Sequence, residues 1–338
     1  MRVLLVRLSA IGDVVHTLPA AAALWRAGHE VGWLVEPAAR SLVQGSPAVR
    51  QVHLAPAARR FSARAAWAAR AELRAARYDL ALELQGLWKS AAWARLSGAA
   101  RVVGYARRFR REPVSALLLG ERVALPDGLP HVIDKNLALL QALGVSAVGA
   151  REFPLPPLDE ATARIDRELA ALGLGPFALL NPGGGWPGKL WPAELFGQLA
   201  GLLAARGLPS LVAWGPGEEA LAARVVAASG SAARPSFATT LLELTALARR
   251  ARVVVSADTG PLHLACAVGA PVVGLFGPTD PARNGPFAPA DVVVRRVPAC
   301  APCHRRACRT HTGVMAGITV DEVGEAVAER LRRAGEAA

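Results

Sequence analysis

The 338-residue sequence contains no uncharged apolar run of about 18 residues, the shortest length typical of a membrane-spanning helix. Its first apolar stretch is interrupted by Arg2 and Arg7, so it is typical of a buried strand and not of a secretory signal peptide. These two absences argue against an integral membrane protein and a secreted one. We therefore expect a cytoplasmic protein.

Cysteine is scarce, with four residues in the chain. In a cytoplasmic protein they argue against a disulfide framework. Cys266 stands alone in an apolar segment and is expected to be a small core residue. The other three follow a C-x2-C-x4-C spacing: Cys300, Cys303 and Cys308. They could bind zinc with His304 or His311, but a second paired knuckle is missing, so we expect a reduced loop cluster and no metal site.

Acidic residues are too few to balance the basic ones, since 27 Asp and Glu against 39 Lys and Arg give a net charge of +12. A positive field attracts nucleic acids, phosphorylated substrates or an anionic membrane surface. Aromatic residues, which stack on bases, make up only 5% of the chain and are not clustered with the basic residues. No nucleic-acid-binding motif is present. We expect an anionic ligand and no nucleic acid.

The chain has no glycine-rich dinucleotide fingerprint after its first predicted strand, where Gly12 is the only glycine. A nicotinamide cofactor is therefore not expected, and no other cofactor is indicated. Apolar strands and helices nevertheless alternate along the chain, which predicts an α/β fold with doubly wound parallel sheets. The predicted strands are 3–6, 31–35, 52–54, 80–84, 102–105, 177–180, 211–214, 253–255 and 271–276.

Two such series are separated by the stiff segment Pro154-Leu155-Pro156-Pro157, which predicts a linker. The second series contains a βαβ unit at residues 253–280. In its loop, Asp258, Thr259 and Gly260 precede a helix that carries His263. The N-terminus of such a helix suits a phosphate, because its N–H groups and dipole attract anions. Capping of the helix by Asp258 is the simpler alternative.

Six segments, taken in order, resemble the motifs of the glycosyltransferase family 9 heptosyltransferases and extend over nearly the whole chain. They are RLSAIGDVVHTLP at residues 7–19, YD at 78–79 with LQGLWKS at 84–90, NPG at 181–183, WGPGE at 214–218, DTG at 258–260 with His263, and FGPTDP at 276–281. Both the opening motif and Arg59-Arg60-Phe61 resemble heptosyltransferase I. The cysteine cluster resembles heptosyltransferase II.

The resemblance implies a GT-B architecture, with two Rossmann-like domains facing across a cleft. We place an acceptor-binding domain at residues 1–155 and an ADP-sugar-binding domain at 156–338. The implied reaction is inverting, metal-independent transfer of heptose from ADP-heptose to a lipid-linked, anionic Kdo acceptor of the lipopolysaccharide inner core. Such an enzyme would work at the cytoplasmic face of the inner membrane as a peripheral protein.

The resemblance also implies roles for residues of the first half. Asp13 fits the general base, since it follows Gly12 at a helix start, although a helix-capping Asp is the simpler alternative. The residues expected to bind the acceptor are Ser9, Gly12, Arg59, Arg60, Gln85, Lys89 and Arg107. Arginine forks in particular match carboxylate and phosphate groups.

In the second half, Lys189 follows a glycine-rich loop and could stabilise the charge that grows on the departing ADP. The residues expected to bind the donor are Gly183, Gly184, Gly185, Glu218, Asp258, Thr259, Gly260 and His263. Glu218 is expected to bind the ribose hydroxyls, and Glu219 is the alternative residue for this contact. A heptosyltransferase II, or another family 9 enzyme with a different nucleotide sugar or a later core acceptor, remains the alternative function.

Overall fold

The computed structural model describes residues 1–56, 62–147, 149–303 and 313–336. The chain divides into two compact units, Met1–Pro157 and Leu158–Ala338. The boundary lies at the end of the proline-rich segment that predicted a linker. No helix within the described ranges has the length and apolar character that crossing a lipid bilayer requires.

The first unit is built on a parallel sheet of six strands, counted over its described residues. They are β1 (Arg2–Val6), β2 (Glu30–Val35), β3 (Gln51–Leu54), β4 (Leu80–Glu83), β5 (Arg101–Tyr105) and β6 (Glu121–Val123). Their order across the sheet is β3-β2-β1-β4-β5-β6. In the centre, Leu4 of β1 is aligned with Gly32 of β2 on one side and with Ala81 of β4 on the other.

Helices and short 3-10 helices connect these strands. The α-helices are α1 (Ile11–Val15), α2 (Leu18–Arg26), α3 (Ala63–Ala75), α4 (Trp88–Leu96) and α5 (Val132–Ala138). The 3-10 helices are Pro37–Leu42, Arg107–Phe109, Pro113–Leu118 and Leu139–Leu143. Residues 11–26 do not form one continuous helix. Pro19 has no N–H for the carbonyl of Val15, so the helix breaks and α2 starts again with Pro19 in its first turn.

The second unit repeats the same topology within its described residues. Its strands are β7 (Ala178–Asn181), β8 (Ser210–Val212), β9 (Ala233–Pro235), β10 (Val253–Ala257), β11 (Val272–Phe276) and β12 (Val292–Arg295), in the order β12-β11-β10-β7-β8-β9. The α-helices are α6 (Asp159–Ala171), α7 (Ala193–Ala205), α8 (Glu219–Ala228), α9 (Leu241–Arg250), α10 (Gly260–Ala267), α11 (Pro281–Asn284) and α12 (Val320–Glu336). Two 3-10 helices are Pro187–Lys189 and Val314–Gly317.

Both faces of the second sheet are buried, as expected for parallel strands covered by helices. Val253 and Val255 of β10 belong to one apolar cluster, together with Trp191 and Phe196. Val254 belongs to another. Because successive side chains of a strand point to opposite faces, the two clusters lie on opposite sides of the sheet. The predicted βαβ unit is confirmed, since β10 and β11 pair in parallel around α10.

In each sheet, the strand order reverses once, between β1 and β4 in the first and between β7 and β10 in the second. Numbered along each unit, both sheets follow the order 3-2-1-4-5-6 of doubly wound folds. Ligands of such folds bind outside the carboxyl ends of the strands at this reversal point. The fold therefore draws attention to the loops that follow β1, β4, β7 and β10.

Candidate functional site

The loops after β1 and β4 are joined directly in the first unit. The backbone N–H of Leu8 donates to Oε1 of Gln85 at 3.0 Å, and the guanidinium of Arg7 donates to the carbonyl of Leu84. Gln85 therefore fixes the loop between β1 and α1. Ser9 and Gly12 lie in that same segment, Ser9 half-buried and Gly12 buried.

Asp13 lies in the first turn of α1 with its carboxylate held at both oxygens. Nη2 of Arg7 lies 2.5 Å from Oδ1, and the N–H of Ala10 donates to Oδ2 at 3.3 Å. The Arg7 side chain is 5% exposed, whereas that of Asp13 is 37% exposed. A buried cation thus orients a carboxylate that still reaches solvent. Nothing in the local sequence links Arg7 to a residue six positions later, so this ion pair could not be predicted from the sequence.

Lys89 and Arg107 also belong to the first unit, in different environments. Lys89, in the first turn of α4, forms an ion pair with Glu36 at the end of β2. Arg107 is exposed on its 3-10 helix and has no ion-pair partner among the described residues. Arg107 is therefore available to an anionic ligand, and Lys89 is held near the carboxyl ends of the strands. Arg59 and Arg60 lie outside the described residues.

A buried ion pair supports the loop after β4. Nη2 of Arg110 lies 2.7 Å from Oε2 of Glu83, and both side chains are fully buried. The other oxygen of Glu83 accepts from the N–H groups of Gln85 at 3.0 Å and Gly86 at 2.9 Å. Burial against Glu83 keeps Arg110 away from the surface, so Arg110 supports the loop and does not face an anionic ligand.

The second unit places four polar side chains around the buried Asp258, and we call these five residues the Asp258 cluster. One carboxylate oxygen, Oδ2, lies 2.6 Å from Nζ of Lys189 and accepts from Thr279 at 2.7 Å. The other, Oδ1, accepts from Asn284 at 2.6 Å and lies 3.2 Å from Nε2 of His263. Lys189 also lies over the ring of Trp186, 4.6 Å from its centroid. The loops after β7, β10 and β11 are thereby tied together.

Asp258 does not cap α10, because the residue that precedes the helix is Thr259 and the Asp258 side chain bonds other side chains. Burial by itself would raise the pKa of the Asp258 carboxyl. The hydrogen bond with His263 and the charge of Lys189 outweigh burial and hold the pKa well below its usual range. A carboxyl group whose pKa is lowered in the folded state stabilises the fold at pH values above its ordinary pKa. This contribution to stability is lost as the pH falls towards the folded-state pKa.

Asn181 connects the carboxyl ends of β7 and β10. Its Nδ2 donates to Oγ of Ser256 at 3.0 Å, to Oγ1 of Thr259 at 3.3 Å and to the carbonyl of Gly183 at 3.2 Å. Gly260, the first residue of α10, follows Thr259 directly. The glycine loop and the N-terminus of α10 are thus held side by side in the second unit.

Glu218 uses its carboxylate inside the protein. Its Oε1 accepts from the N–H of Gly184 at 2.8 Å, and its Oε2 accepts from the N–H of Gly215 at 2.9 Å. Glu219, the first residue of α8, is exposed and lines an apolar cavity of about 490 Å³ together with Trp214 and Pro235. Glu218 therefore stabilises the glycine loop through its hydrogen bonds, whereas the Glu219 side chain is accessible to solvent.

Gly183→Ala is expected to destabilise the protein by about 1–3 kcal/mol, the usual loss for hydrogen bonds to a charged group. A Cβ on Gly183 would lie 2.1 Å from Oε2 of Glu218, so the carboxylate would have to leave Gly184 and Gly215. Urea unfolding would measure the loss. Gly185→Ala is the matched control, because its Cβ would meet no atom within 4 Å. Equal unfolding free energies for the two variants would contradict this explanation.

The cysteine cluster is described only in part. Cys303 is buried and Cys300 half-buried, and the N–H of Cys303 donates to the carbonyl of Pro278 at 2.8 Å. Three residues of the zinc hypothesis lie outside the described residues: Cys308, His304 and His311. In the part of the chain that is described, no group of three or more His, Cys, Asp or Glu side chains is placed to hold a metal ion.

Comparison with known sequences identifies relatives over most of the chain. The model of glycosyltransferase family 9 (heptosyltransferase) matches residues 66–312. Lipopolysaccharide heptosyltransferase 1 of Pseudomonas aeruginosa is 32% identical over 322 residues, which cover 91% of this chain and 87% of that protein. Lipopolysaccharide heptosyltransferase 1 of Escherichia coli K12 is 32% identical over 310 residues, covering 87% of this chain and 93% of that protein.

Solved structures with the same fold cover both units. E. coli heptosyltransferase WaaC with ADP-2-deoxy-2-fluoro heptose matches with a TM-score of 0.76 and 28% identity, over 97% of this chain and 99% of that one. E. coli ADP-heptose lps heptosyltransferase II matches with a TM-score of 0.76 and 20% identity, over 99% of this chain and 100% of that one. At this identity the match supports the fold alone. The predicted α/β class and GT-B architecture are confirmed. The chain is a glycosyltransferase and belongs to family 9, the heptosyltransferase family.

Proposed function

We propose that this enzyme transfers heptose from ADP-heptose to the Kdo region of the lipopolysaccharide inner core. The observation that supports this most strongly is the end-to-end similarity to WaaC, which has been solved with a fluorinated ADP-heptose. The relatives named lipopolysaccharide heptosyltransferase 1 also support heptose transfer to lipopolysaccharide.

In the proposed reaction, the first unit (residues 1–155 of our assignment) binds the acceptor and Asp13 removes the proton of the attacking hydroxyl. Direct attack on the anomeric carbon inverts its configuration. The ion pair with Arg7 supports this role, because it holds the carboxylate in one orientation. The exposed fraction of the Asp13 side chain supplies the access that a base needs.

The second unit (residues 156–338) is proposed to bind the ADP-sugar. Lys189 faces the diphosphate and neutralises the charge that develops on the leaving ADP. Its side chain is already ordered between Asp258 and Trp186, so little rotamer freedom is lost when the donor binds. Gly185, Thr259, Gly260 and the N-terminus of α10 supply N–H groups to phosphate oxygens. Asp258 and His263 position Lys189.

The acceptor is proposed to be an anionic, lipid-linked Kdo sugar, held by residues of the first unit. Arg107 supports this, since it is exposed and has no ion-pair partner among the described residues. Ser9, Gly12, Gln85 and Lys89 lie in or beside the loops after β1 and β4, and Arg59 and Arg60 stay predictions. The enzyme would work at the cytoplasmic face of the inner membrane. The net charge of +12 suits that anionic surface.

Arg107→Ala is expected to raise the KM for the acceptor about tenfold, the usual loss for one charge-assisted hydrogen bond, and to leave the donor KM nearly unchanged. Steady-state kinetics with each substrate varied in turn would measure both constants. Arg95→Ala is the matched control, because Arg95 is an exposed arginine of the same unit on the last turn of α4. A rise in donor KM alone would mean that the roles of the two units are reversed.

Activity is expected to persist in excess EDTA. No Asp-x-Asp motif accompanies the proposed diphosphate loops, and Lys189 can supply the positive charge that a metal ion would otherwise bring. Turnover would be measured before and after chelation, with added magnesium as the control. Loss of turnover that magnesium restores would contradict metal-independent transfer.

A later step of core assembly is the second candidate, and the spacing of Cys300, Cys303 and Cys308 favours it because this spacing resembles heptosyltransferase II. Parallel assays with ADP-heptose and either Kdo-bearing lipid A or its mono-heptosylated product separate the two. We expect turnover with the first acceptor. Turnover with the second alone would make the chain a heptosyltransferase II, and turnover with neither would require another donor or acceptor.

A further inference from the structure

Three large apolar side chains of the first unit are exposed on neighbouring elements. Trp88, at the start of α4, is 49% exposed, Val114 is 53% exposed and Leu117 is 71% exposed. Val114 and Leu117 lie three residues apart in the 3-10 helix Pro113–Leu118. Residues i and i+3 of a 3-10 helix are eclipsed, so these two side chains share one face. That face points away from the protein, since Ser115 and Ala116 between them are buried.

The two elements are joined at their starts. The N–H of Trp88 donates to Oε2 of Glu112 at 2.5 Å, and the N–H of Glu112 donates to the carbonyl of Gly86 at 3.0 Å. Behind them, Nε of Arg110 donates to Oγ of Ser115 at 2.8 Å, and Arg110 pairs with the fully buried Glu83. These hydrogen bonds and the buried ion pair therefore hold the backbone that carries the exposed apolar residues in place.

Basic residues flank these apolar residues. Arg108 and Arg111 are exposed and, among the described residues, have no acidic ion-pair partner. The guanidinium of Arg108 is stacked over Phe109, 4.6 Å from the ring centroid. Glu112 is the acid closest in sequence, and its Oε2 is bonded to the N–H of Trp88. The surface thus combines apolar tips with positive charge that is not neutralised by the protein.

We propose that Trp88, Val114 and Leu117, with Arg108 and Arg111, form a docking edge that binds an anionic phospholipid membrane. Apolar side chains would enter the headgroup region, and each arginine near the surface would attract anionic lipid. A second copy of the chain fits less well, because a two-fold interface would bring the same unneutralised arginines together. The proposal rests on the proposed function only in that a lipid-linked acceptor lies in this membrane.

The position of the docking edge also suits such an acceptor. Gln85 of the proposed acceptor site lies in the connection between β4 and α4, and Trp88 and Lys89 are the first two residues of α4. Docking would therefore hold the acceptor-binding loop of the first unit at the headgroups, where the sugar of a lipid-linked acceptor is located. The enzyme would then meet its acceptor on the membrane surface, without extracting it into water.

Co-sedimentation of the full-length protein with lipid vesicles tests the apolar part of the edge. We expect binding to phosphatidylethanolamine vesicles that contain phosphatidylglycerol, and little binding to pure phosphatidylcholine. Leu117→Asp should lower the partition coefficient about tenfold or more, since it removes apolar area and adds a negative charge. Val297→Asp is the matched control, because Val297 is 63% exposed in the second unit. Val114→Asp provides a second variant if Leu117→Asp folds poorly.

The charged part is tested by the double variant Arg108→Gln/Arg111→Gln. It should bind anionic vesicles about tenfold more weakly and with less dependence on salt. Arg167→Gln/Arg249→Gln, which removes two exposed arginines of the second unit, should bind like the wild type. No preference of the wild type for anionic vesicles, or equal losses in edge and control variants, would overturn the proposal. A vesicle-independent dimer that Leu117→Asp dissociates would also overturn it.

Activity on a delipidated acceptor separates this proposal from the proposed function. Leu117→Asp should retain wild-type kcat/KM on that acceptor and lose rate only on acceptor embedded in vesicles. If the wild type lacks heptosyl transfer but binds vesicles through the edge, the proposed function fails and the docking edge stands. If transfer is normal and Leu117→Asp is equally active on embedded acceptor, the docking edge fails alone.

Discussion

Asp13→Asn is expected to lower the rate of the chemical step by about two to four orders of magnitude, the usual loss when a general base is removed. Asparagine has the size of aspartate and keeps an oxygen that can accept from the N–H of Ala10. The substitution removes the proton acceptor and the charge that faces Arg7. Rapid-quench measurement of a single turnover reports the chemical step directly.

Affinity for ADP and the melting temperature are the controls for Asp13→Asn, and both should change little. Asp79→Asn is the matched variant, because Asp79 is an exposed aspartate of the same unit that accepts from a backbone N–H, that of Arg2, at 2.7 Å. It should keep the wild-type rate. If Asp13→Asn reacts as fast as Asp79→Asn, then Asp13 only supports the helix start, and His16 and His263 become the first candidates for the base.

Lys189→Ala is expected to lower kcat/KM for the donor by about two to three orders of magnitude, as when a preorganised charge-stabilising group is lost. The donor KM should rise and kcat should fall together, because the diphosphate is charged in both the ground state and the transition state. Steady-state kinetics and ADP titration calorimetry would separate the two effects. An unchanged ADP affinity would contradict a contact between Lys189 and the diphosphate.

Loss of stability must be distinguished from loss of contact in this variant. Asp258 is buried, and removing its cationic partner costs about 3–5 kcal/mol in typical buried pairs. Lys189→Arg serves as the control because it keeps a positive charge beside Asp258. We expect it to restore most of the melting temperature and only part of the catalytic rate, since a planar guanidinium cannot present its donors as an ammonium does.

The central strands could be predicted from sequence because they are continuous apolar runs, such as Val253 to Val255. The strands at three sheet edges were missed. β6 and β9 have three residues each, with the sequences ERV and ARP, and carry almost no apolar signal. The sequence VVVR of β12 does carry an apolar signal. It is followed by a segment rich in proline and cysteine, so the end of the strand could not be recognised. Edge strands are half-exposed, so selection for apolar residues is weak there.

The loops of the candidate site could be predicted because the doubly wound fold places ligands after particular strands. Their internal contacts could not. Arg110 pairs with Glu83, and Asp258 bonds Thr279 and Asn284, over separations of more than twenty residues. Such pairs depend on the tertiary fold and leave no local pattern. For the same reason, Glu218 was assigned to a ribose, whereas its carboxylate bonds two backbone N–H groups.

The most direct test of the proposed reaction is one single-turnover experiment with excess enzyme, ADP-heptose and Kdo-bearing lipid A, in which the product is isolated and its new glycosidic bond is assigned by NMR. We predict one heptose added to Kdo, with the anomeric configuration inverted relative to the donor, and a single-turnover rate that Asp13→Asn lowers by about two to four orders of magnitude. Retained configuration, transfer from another nucleotide sugar only, or an undiminished single-turnover rate in Asp13→Asn would contradict it.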